Sequence, residues 1–174
     1  MQLLMLEIKT AQAEDALRLS VFAEATFRET FAPYNSESDM QLYSQKTFSP
    51  DKQRQEILDP DKRVVLALWA EEIIGYYMLS LKGAEASISG PRPIQLSRLY
   101  VDSRWHGQKI AHRLLEEAMN RSRQEGFFTF WMGVWEKNYR ALAFYKKWGF
   151  EEVGDLRFEL GQDVQRDLLF TKPL

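Results

Sequence analysis

The sequence predicts an α/β protein with a mixed sheet and helices on both of its faces. Short runs of β-branched and aromatic residues alternate with longer segments whose apolar residues recur at helical spacing. Glycine and proline residues separate these segments where turns are expected. The resulting order is β-α-α-β-β-β-α-β-α-β-β, and 174 residues suit a single domain, residues 1–174.

The first strand and the first helix occupy residues up to Phe31. Leu3 to Ile8 is a short apolar run, and Thr10 is expected to cap the helix that follows it. Helical spacing predicts a buried face for this helix that consists of Ala13, Ala16, Leu17, Val21 and Ala25.

Two further helices are expected before most of the sheet. Pro33 interrupts the helical pattern, and either Asn35 or Ser36 can cap a second helix. A third, short helix begins at Ser49 and Pro50, because proline suits the first helical turn.

Residues 63–70 and 73–81 are β-branched and aromatic runs separated by Glu71 and Glu72, which predicts a hairpin. Residues 82–93 contain two glycines and two prolines and are expected to form a loop.

The next stretch predicts a strand, a tight loop and a helix. The buried strand Ile94 to Val101 leads into a loop that holds Gly107, and a helix opens near Lys109 and stops at Gly126. Unpaired backbone N–H groups and the helix dipole make such a helix start an anion site, most often for phosphate. The residues expected on the buried face of this helix are Ile110, Leu114, Leu115, Ala118 and Met119.

The last third of the chain predicts a strand, a helix and a strand pair. Residues 127–135 form a strongly β-prone run, and Asn138 caps a helix that stops at Gly149. Residues 150–160 and 164–170 form the final two strands around a turn at Gly161.

Composition excludes several kinds of function. There is no cysteine, which excludes disulfides, thiolate nucleophiles and zinc–thiolate sites, and two histidines are too few for a histidine-rich metal site. A net charge of −2 gives no bulk electrostatic reason to bind nucleic acid or anionic lipid. No apolar run approaches the roughly 20 residues that span a bilayer. We therefore expect a soluble, cytoplasmic protein without metal, nucleic-acid or membrane partners.

Two motifs resemble those of the GNAT superfamily of N-acetyltransferases. The run His106-Gly107-Gln108-Lys109-Ile110-Ala111 stands where that superfamily has its acyl-CoA loop, Q/R-x-x-G-x-G/A, and departs from it at His106 and Lys109. The second motif, N-x-x-A-x-x-F-Y-x-K-x-G-F, is present in full. Its residues are Asn138, Ala141, Phe144, Tyr145, Lys147, Gly149 and Phe150.

The resemblance implies a GNAT-type twisted, largely antiparallel sheet and acetyl-CoA as the co-substrate, without a metal. Backbone groups of Leu99 to Val101 are expected to bind the pantetheine amide and the thioester oxygen, and the helix start to bind the pyrophosphate. Asn138 and Lys147 would contact the CoA arm and its phosphate end. The cofactor-binding residues expected are Leu99, Tyr100, Val101, Gly107, Gln108, Lys109, Ile110, Ala111, His112, Asn138 and Lys147.

Residues 27–49, residues 131–138 and the final stretch 158–174 are similar to the branch of the superfamily that contains PaiA-like diamine and polyamine acetyltransferases. That resemblance implies acetyl transfer to a primary amine such as spermidine or spermine, with Tyr145 as the general acid. The expected substrate-binding residues are Glu29, Glu37, Asp39 and Glu136. These residues and Asp102 are also candidate bases for the amine, and the sequence does not choose among them.

Other functions stay open at this point. The chain can also be an N-acetyltransferase of peptides or proteins, or a non-catalytic sensor that binds acetyl-CoA. Exposed edge strands near the C-terminus are compatible with a homodimer.

Overall fold

The structure is a computed structural model that describes residues 6–174, apart from the side chain of Phe158. Part of the predicted first strand, residues 3–5, lies outside the described residues. The strands are β1 (Leu6–Thr10), β2 (Lys62–Trp69), β3 (Glu72–Ser80), β4 (Pro93–Val101), β5 (Thr129–Trp135), β6 (Glu151–Leu160) and β7 (Asp163–Pro173). The α-helices are α1 (Ala16–Phe31), α2 (Glu37–Phe48), α3 (Pro50–Leu58), α4 (Ile110–Gln124) and α5 (Tyr139–Lys147).

One seven-stranded sheet organises the described residues, in the order β1-β2-β3-β4-β5-β7-β6. Every neighbouring pair is antiparallel except β4 and β5, which run parallel. The mixed, mostly antiparallel sheet and the predicted order of strands are therefore confirmed. Three helices lie between β1 and β2, where the predicted order has two.

The two faces of the sheet carry separate apolar layers. Side chains of a strand alternate between the faces, so Val65 packs under α4 and α5 whereas Val64 packs under α1 and α2. The layer on the α4 and α5 side includes Tyr77, Leu114 and Phe130. No helix within residues 6–174 is long and apolar enough to cross a membrane.

The parallel strands β4 and β5 separate soon after they begin. They pair only from Pro93 to Gln95, opposite Thr129 to Trp131. Beyond that point, β4 continues to Val101 and β5 continues to Trp135 without a ladder between them. This separation opens a gap in the middle of the sheet, and both faces of the sheet have access to it.

Local side-chain contacts explain where the first helices begin. Ser36 caps α2 by accepting from the N–H of Asp39 (3.2 Å), and Ser49 caps α3 by accepting from the N–H of Lys52 (3.3 Å). The predicted cap at Thr10 is wrong because β1 continues through that residue. The turn into α1 is closed instead by Asp15, whose Oδ2 accepts from the N–H of Gln12 (2.8 Å).

The predicted buried face of α1 is correct at Ala16 and wrong at Leu17, Val21 and Ala25. Leu17 and Val21 are 63% and 65% exposed, and Ala25 is exposed. Apolar residues lie on more than one side of α1, so helical spacing alone does not show which side is buried. The buried side is the one whose larger side chains fill the layer against the sheet. The apolar residues buried on α1 are Ala16, Leu19, Ala23, Phe27 and Phe31.

The predicted hairpin of β2 and β3 is present, and its turn lies one residue earlier than expected. Ala70 and Glu71 both have positive φ, 46° and 71°. Two consecutive left-handed residues are the geometry of a type I′ turn, which matches the twist of the flanking strands without the usual Asn-Gly pair.

Candidate active site

A cleft of about 440 Å³ lies where β4 and β5 separate. Its walls come from the C-terminal half of β4, the start of α4, the helix α5 and one side of α1. We call this cavity the main cleft. The residues that line it are Thr26, Glu29, Thr30, Leu99, Tyr100, Val101, Trp105, His106, Gly107, Lys109, Ile110, Ala111, His112, Asn138, Arg140, Ala141, Phe144 and Tyr145.

The start of α4 turns free backbone N–H groups toward the main cleft. The first intrahelical bond comes from the N–H of Arg113 to the carbonyl of Lys109 (3.1 Å), so the N–H groups of Ile110, Ala111 and His112 have no helical partner. These dipoles and the helix dipole together attract an anion.

The loop before α4 keeps the backbone shape that glycine favours. Gly107 has φ of 80°, and Lys109 has φ of 64°, in the left-handed region. Lys109 therefore adopts the conformation that a glycine at this position allows, and it adds an exposed cation to the mouth of the main cleft.

The backbone of β4 presents polar groups to the gap. The N–H of Asp102 donates to the carbonyl of Ile74 on β3 (3.0 Å). Since backbone groups alternate along a strand, Tyr100 also faces β3, and the N–H groups of Leu99 and Val101 face away from it, into the gap. These fixed donors lie where an oxyanion can be stabilised.

Tyr145 lies on α5 beneath this gap and is only 7% exposed. Its hydroxyl has no hydrogen-bond partner among the described side chains and backbone groups, and the residue lines both the main cleft and a second pocket. Burial raises the pKa of Tyr145 well above that of a free phenol, so the hydroxyl keeps its proton at neutral pH.

Contacts between helices hold Tyr145 in place. The Trp148 indole Nε1 donates to Nδ1 of His112 (3.0 Å), which ties α5 to the start of α4. Asn138 caps α5, as predicted, by accepting from the N–H of Ala141 through its Oδ1 (3.2 Å). The side chain of His112 is thus used for packing, and its backbone N–H remains available to a ligand.

His106 and Arg140 form the rim of the main cleft opposite Lys109. The His106 Nε2 lies 2.9 Å from the Val101 carbonyl, and the Arg140 guanidinium contacts the same imidazole ring. Arg140 was not predicted from the sequence. The available sequence signal is that Arg140 lies near the start of α5, two residues after the capping Asn138. The sequence around Arg140 does not show that its side chain reaches His106.

A second, smaller pocket of about 150 Å³ lies on the α1 and α2 side of the gap. We call it the aromatic pocket, because seven aromatic side chains contribute to its wall. It meets the main cleft at Leu99, Tyr100, Asn138, Ala141 and Tyr145, which line both cavities. The aromatic residues are Phe27, Phe31, Tyr43, Phe48, Tyr100, Trp135 and Tyr145.

The aromatic pocket also contains one carboxylate, that of Asp167 on β7. The Asp167 Oδ1 is buried and has no hydrogen-bond partner among the described residues. Burial raises the pKa of this carboxyl to about 6. Sequence reasoning missed Asp167, because its meeting with the pocket depends on the pairing of β7 with β5, which the local pattern does not reveal.

Of the acidic residues predicted to bind substrate, Glu29 lines the main cleft and accepts from the Ser103 hydroxyl (3.2 Å). The other three predicted residues, Glu37, Asp39 and Glu136, do not line the main cleft. Glu37 pairs with Arg28 (3.0 Å), and Glu136 lies 3.5 Å from Arg166.

Asp39 and Asp102 have structural partners. Asp39 accepts from the N–H of Gln162 (2.8 Å), and this bond lowers the pKa of its carboxyl. Asp102 is bound by Arg104, which likewise lowers its pKa. A depressed pKa makes both carboxylates weaker bases.

Two predicted cofactor residues lie outside the main cleft. Gln108 is exposed and its amide donates to the Arg104 carbonyl (3.2 Å), and Lys147 is exposed near the end of α5. The remaining predicted cofactor residues line the main cleft together with Tyr145.

Residues 24–150 match the model of the acetyltransferase (GNAT) family. The chain belongs to the GNAT family. A related N-acetyltransferase from the pepI 3′ region of Lactobacillus delbrueckii subsp. lactis is 29% identical, over 97% of both chains. An N-acetyltransferase of Mycobacterium bovis is 28% identical and covers 92% of this chain and 98% of its own.

Solved GNAT structures share the fold. The PaiA N-acetyltransferase from Thermoplasma acidophilum, in complex with coenzyme A, superposes with a TM-score of 0.78 at 23% identity, over 97% of this chain and 99% of that one. A GCN5-related N-acetyltransferase from Rhodopseudomonas palustris gives 0.75 at 16% identity, over 97% and 95%.

This GNAT protein is an N-acetyltransferase, and acetyl-CoA is its co-substrate. Within residues 6–174, no group of three histidine, aspartate or glutamate side chains is arranged to hold a metal ion.

Proposed function

We propose that this enzyme transfers the acetyl group of acetyl-CoA to a primary amine of a small diamine or polyamine, with Tyr145 as the general acid. The observation that carries the proposal is the position of the Tyr145 side chain at the junction of two cavities. One cavity has the features of a CoA site and the other those of a site for an apolar, cationic acceptor.

The main cleft suits acetyl-CoA. The N–H groups of Ile110 to His112 would bind the pyrophosphate, with Lys109 and Arg140 adding positive charge at the rim. The pantetheine arm would then lie between α4 and α5, beside Asn138. This arrangement brings the thioester to the gap next to β4.

The acceptor amine would attack in its neutral form, after its ammonium proton has passed to water. At the gap, the N–H groups of Leu99 and Val101 would stabilise the oxygen that becomes negative as this amine attacks the thioester carbon. The carbon–sulfur bond then breaks, and the sulfur takes the proton of the Tyr145 hydroxyl. Burial raises the pKa of Tyr145, so the hydroxyl is protonated at neutral pH; because this also makes it a weaker acid, its proton would pass to sulfur together with the return of a proton from the nitrogen. The proton lost by the attacking nitrogen returns to the tyrosinate.

The acceptor is proposed to enter through the aromatic pocket. Helices α1 and α2 cover this side of the sheet, so the pocket suits a slender small molecule better than a folded protein. The resemblance to the PaiA-like branch supports diamines and polyamines. A protein or peptide acceptor would need an open groove at the same position.

Release of the CoA thiol can be measured with a panel of acceptors that contains diamines, polyamines, amino acids and a lysine peptide. We expect turnover with diamines and polyamines at least ten times faster than with the peptide, because only the slender amines fit the aromatic pocket. Preference for the peptide would contradict the proposed acceptor. Binding of acetyl-CoA without thiol release from any amine would favour the non-catalytic alternative.

A further inference from the structure

We propose that Asp167 binds the distal ammonium group of the acceptor, the amino group that does not react. The aromatic pocket thereby selects amines with a second positive charge over simple alkylamines. This inference rests on the proposed function, since it assigns one end of the acceptor to a particular residue.

The first observation is that the half-buried Asp167 side chain has one carboxylate oxygen without a partner among the described residues. This atom, Oδ1, is buried and forms no hydrogen bond with the described residues. Arg98 lines the same pocket, but its guanidinium is held by Glu56 through bonds of 2.7 and 3.2 Å. A carboxylate oxygen that is buried without a countercharge is unfavourable, so its presence in the pocket is consistent with a cation that arrives with a ligand.

The second observation is that the sheet makes room for this carboxylate. Gly133 on β5 lies beside it, and a Cβ atom at position 133 would come within 3.2 Å of the Asp167 Oδ2. Any side chain larger than glycine would therefore press on the carboxylate. Gly133 also lines the aromatic pocket, so the space that it leaves belongs to the same cavity.

The third observation is the aromatic wall around the carboxylate. The rings of Phe31 and Trp135 stack with centroids 4.8 Å apart, and Trp135 pairs directly with Asp167 across β5 and β7. The ring of Tyr100 faces the pocket from β4. Aromatic faces attract an ammonium ion, and their apolar surface suits a methylene chain.

The strand order indicates that Asp167 would bind the distal amino group of the acceptor and not the amino group that reacts. The thioester would lie beside β4, at the gap, whereas Asp167 is on β7, with β5 between the two strands. Paired strands are about 4.8 Å apart, so β7 lies at least about 10 Å from β4, and further where β4 and β5 separate. A nitrogen bound to Asp167 is therefore separated from the thioester by the length of a short aliphatic chain.

The test compares diaminobutane with butylamine, which lacks only the second amino group, for the wild type and for Asp167→Asn. We expect kcat/KM of the wild type for diaminobutane to exceed that for butylamine by about 30-fold or more, as for a buried charge pair. In Asp167→Asn this ratio should fall to near one, because diaminobutane loses the contact of its second amino group and butylamine has no such group. Asp155→Asn, which alters an exposed carboxylate on β6, should keep the wild-type ratio.

Two kinetic outcomes would overturn the inference. An equal loss with both amines would mean that Asp167 acts on the reacting nitrogen, and unchanged kcat/KM values for both amines would mean that it does not contact the acceptor. Calorimetric titration with diaminobutane in the absence of acetyl-CoA separates this inference from the proposed function. Binding that Asp167→Asn abolishes supports the site even in a protein that acetylates neither amine, and equal binding by both proteins refutes it.

Discussion

At the scale of single residues, Asp167 illustrates a conflict between stability and binding. Burial of one side of its carboxyl raises the pKa to about 6, from an ordinary value of 3.8. The folded protein therefore holds this proton more tightly than the unfolded chain does. The stability that this proton contributes is fully present below pH 3.8 and is lost as the pH rises to about 6.

We therefore expect Asp167→Asn to be more stable than the wild type at pH 7.5, by on the order of 2 kcal/mol, and the difference to shrink as the pH falls toward 4. Urea unfolding of both proteins at several pH values measures this. The other titratable groups that face Asp167 do not change charge in this window, because their pKa values are raised far above it. They are Tyr43, Tyr100, Tyr145 and Arg98.

A difference in stability that is independent of pH, or that has the opposite sign at pH 7.5, would contradict a raised pKa at Asp167. Diaminobutane should narrow the difference at pH 7.5, since a bound ammonium restores the countercharge that the carboxylate lacks.

The residues of the site differ in how far the sequence could predict them. Asn138 and Tyr145 were predicted because both belong to one short motif that resembles the GNAT pattern, and this motif lies along a single helix. Asp167 meets Trp135 and Gly133 only through the register of β7 on β5. Such a pairing depends on tertiary structure, and a single sequence does not show it.

At the scale of elements, the start of α4 is where the chain departs most from the family pattern. Lys109 takes a left-handed backbone conformation, φ of 64°, that costs a non-glycine residue about 1 kcal/mol or more. The conformation of the loop is retained while the side chain adds a charge. We infer that Lys109 trades some stability for attraction to the phosphates of CoA.

Lys109→Gly should leave the protein equally or more stable and weaken acetyl-CoA binding by about 2- to 5-fold at low salt, the size expected for one exposed cation. Calorimetry at two salt concentrations should show a weaker salt dependence than in the wild type. Lys109→Asn, which also tolerates positive φ, should behave in the same way. Lys146→Ala removes an exposed cation that does not line the main cleft and serves as the control.

Unchanged affinity in both Lys109 variants would remove this side chain from the account of CoA binding. Loss of stability in Lys109→Gly would show that the lysine side chain makes a favourable contact that outweighs its backbone strain.

Elements with a strong local pattern were predicted well. The hairpin of β2 and β3, the caps of α2, α3 and α5, and the buried face of α4 follow from turn chemistry, capping and spacing. The face of α1 was predicted wrongly, because Leu17 and Val21 are apolar yet exposed, and only the packed layer beneath α1 distinguishes them from Leu19.

At the scale of the whole molecule, the proposed function depends on the separation of β4 and β5 in the middle of the sheet. Where β4 and β5 separate, the main cleft and the aromatic pocket meet across the sheet. In the function proposed above, each face of the sheet would supply one substrate site, with Tyr145 where the two cavities meet. That proposal has the amine attack acetyl-CoA directly within a ternary complex.

The central claim is that Tyr145 acts as the general acid. It is tested most directly by measuring, with mass spectrometry, how fast acetylated diaminobutane forms in a single turnover of the wild type, Tyr145→Phe and Tyr139→Phe. Tyr139 is on the same helix and 73% exposed, so its variant is the matched control. We predict that Tyr145→Phe forms product at least 100-fold more slowly while binding acetyl-CoA with unchanged affinity, and that Tyr139→Phe behaves as the wild type. Product formation by Tyr145→Phe at the wild-type rate would contradict the account.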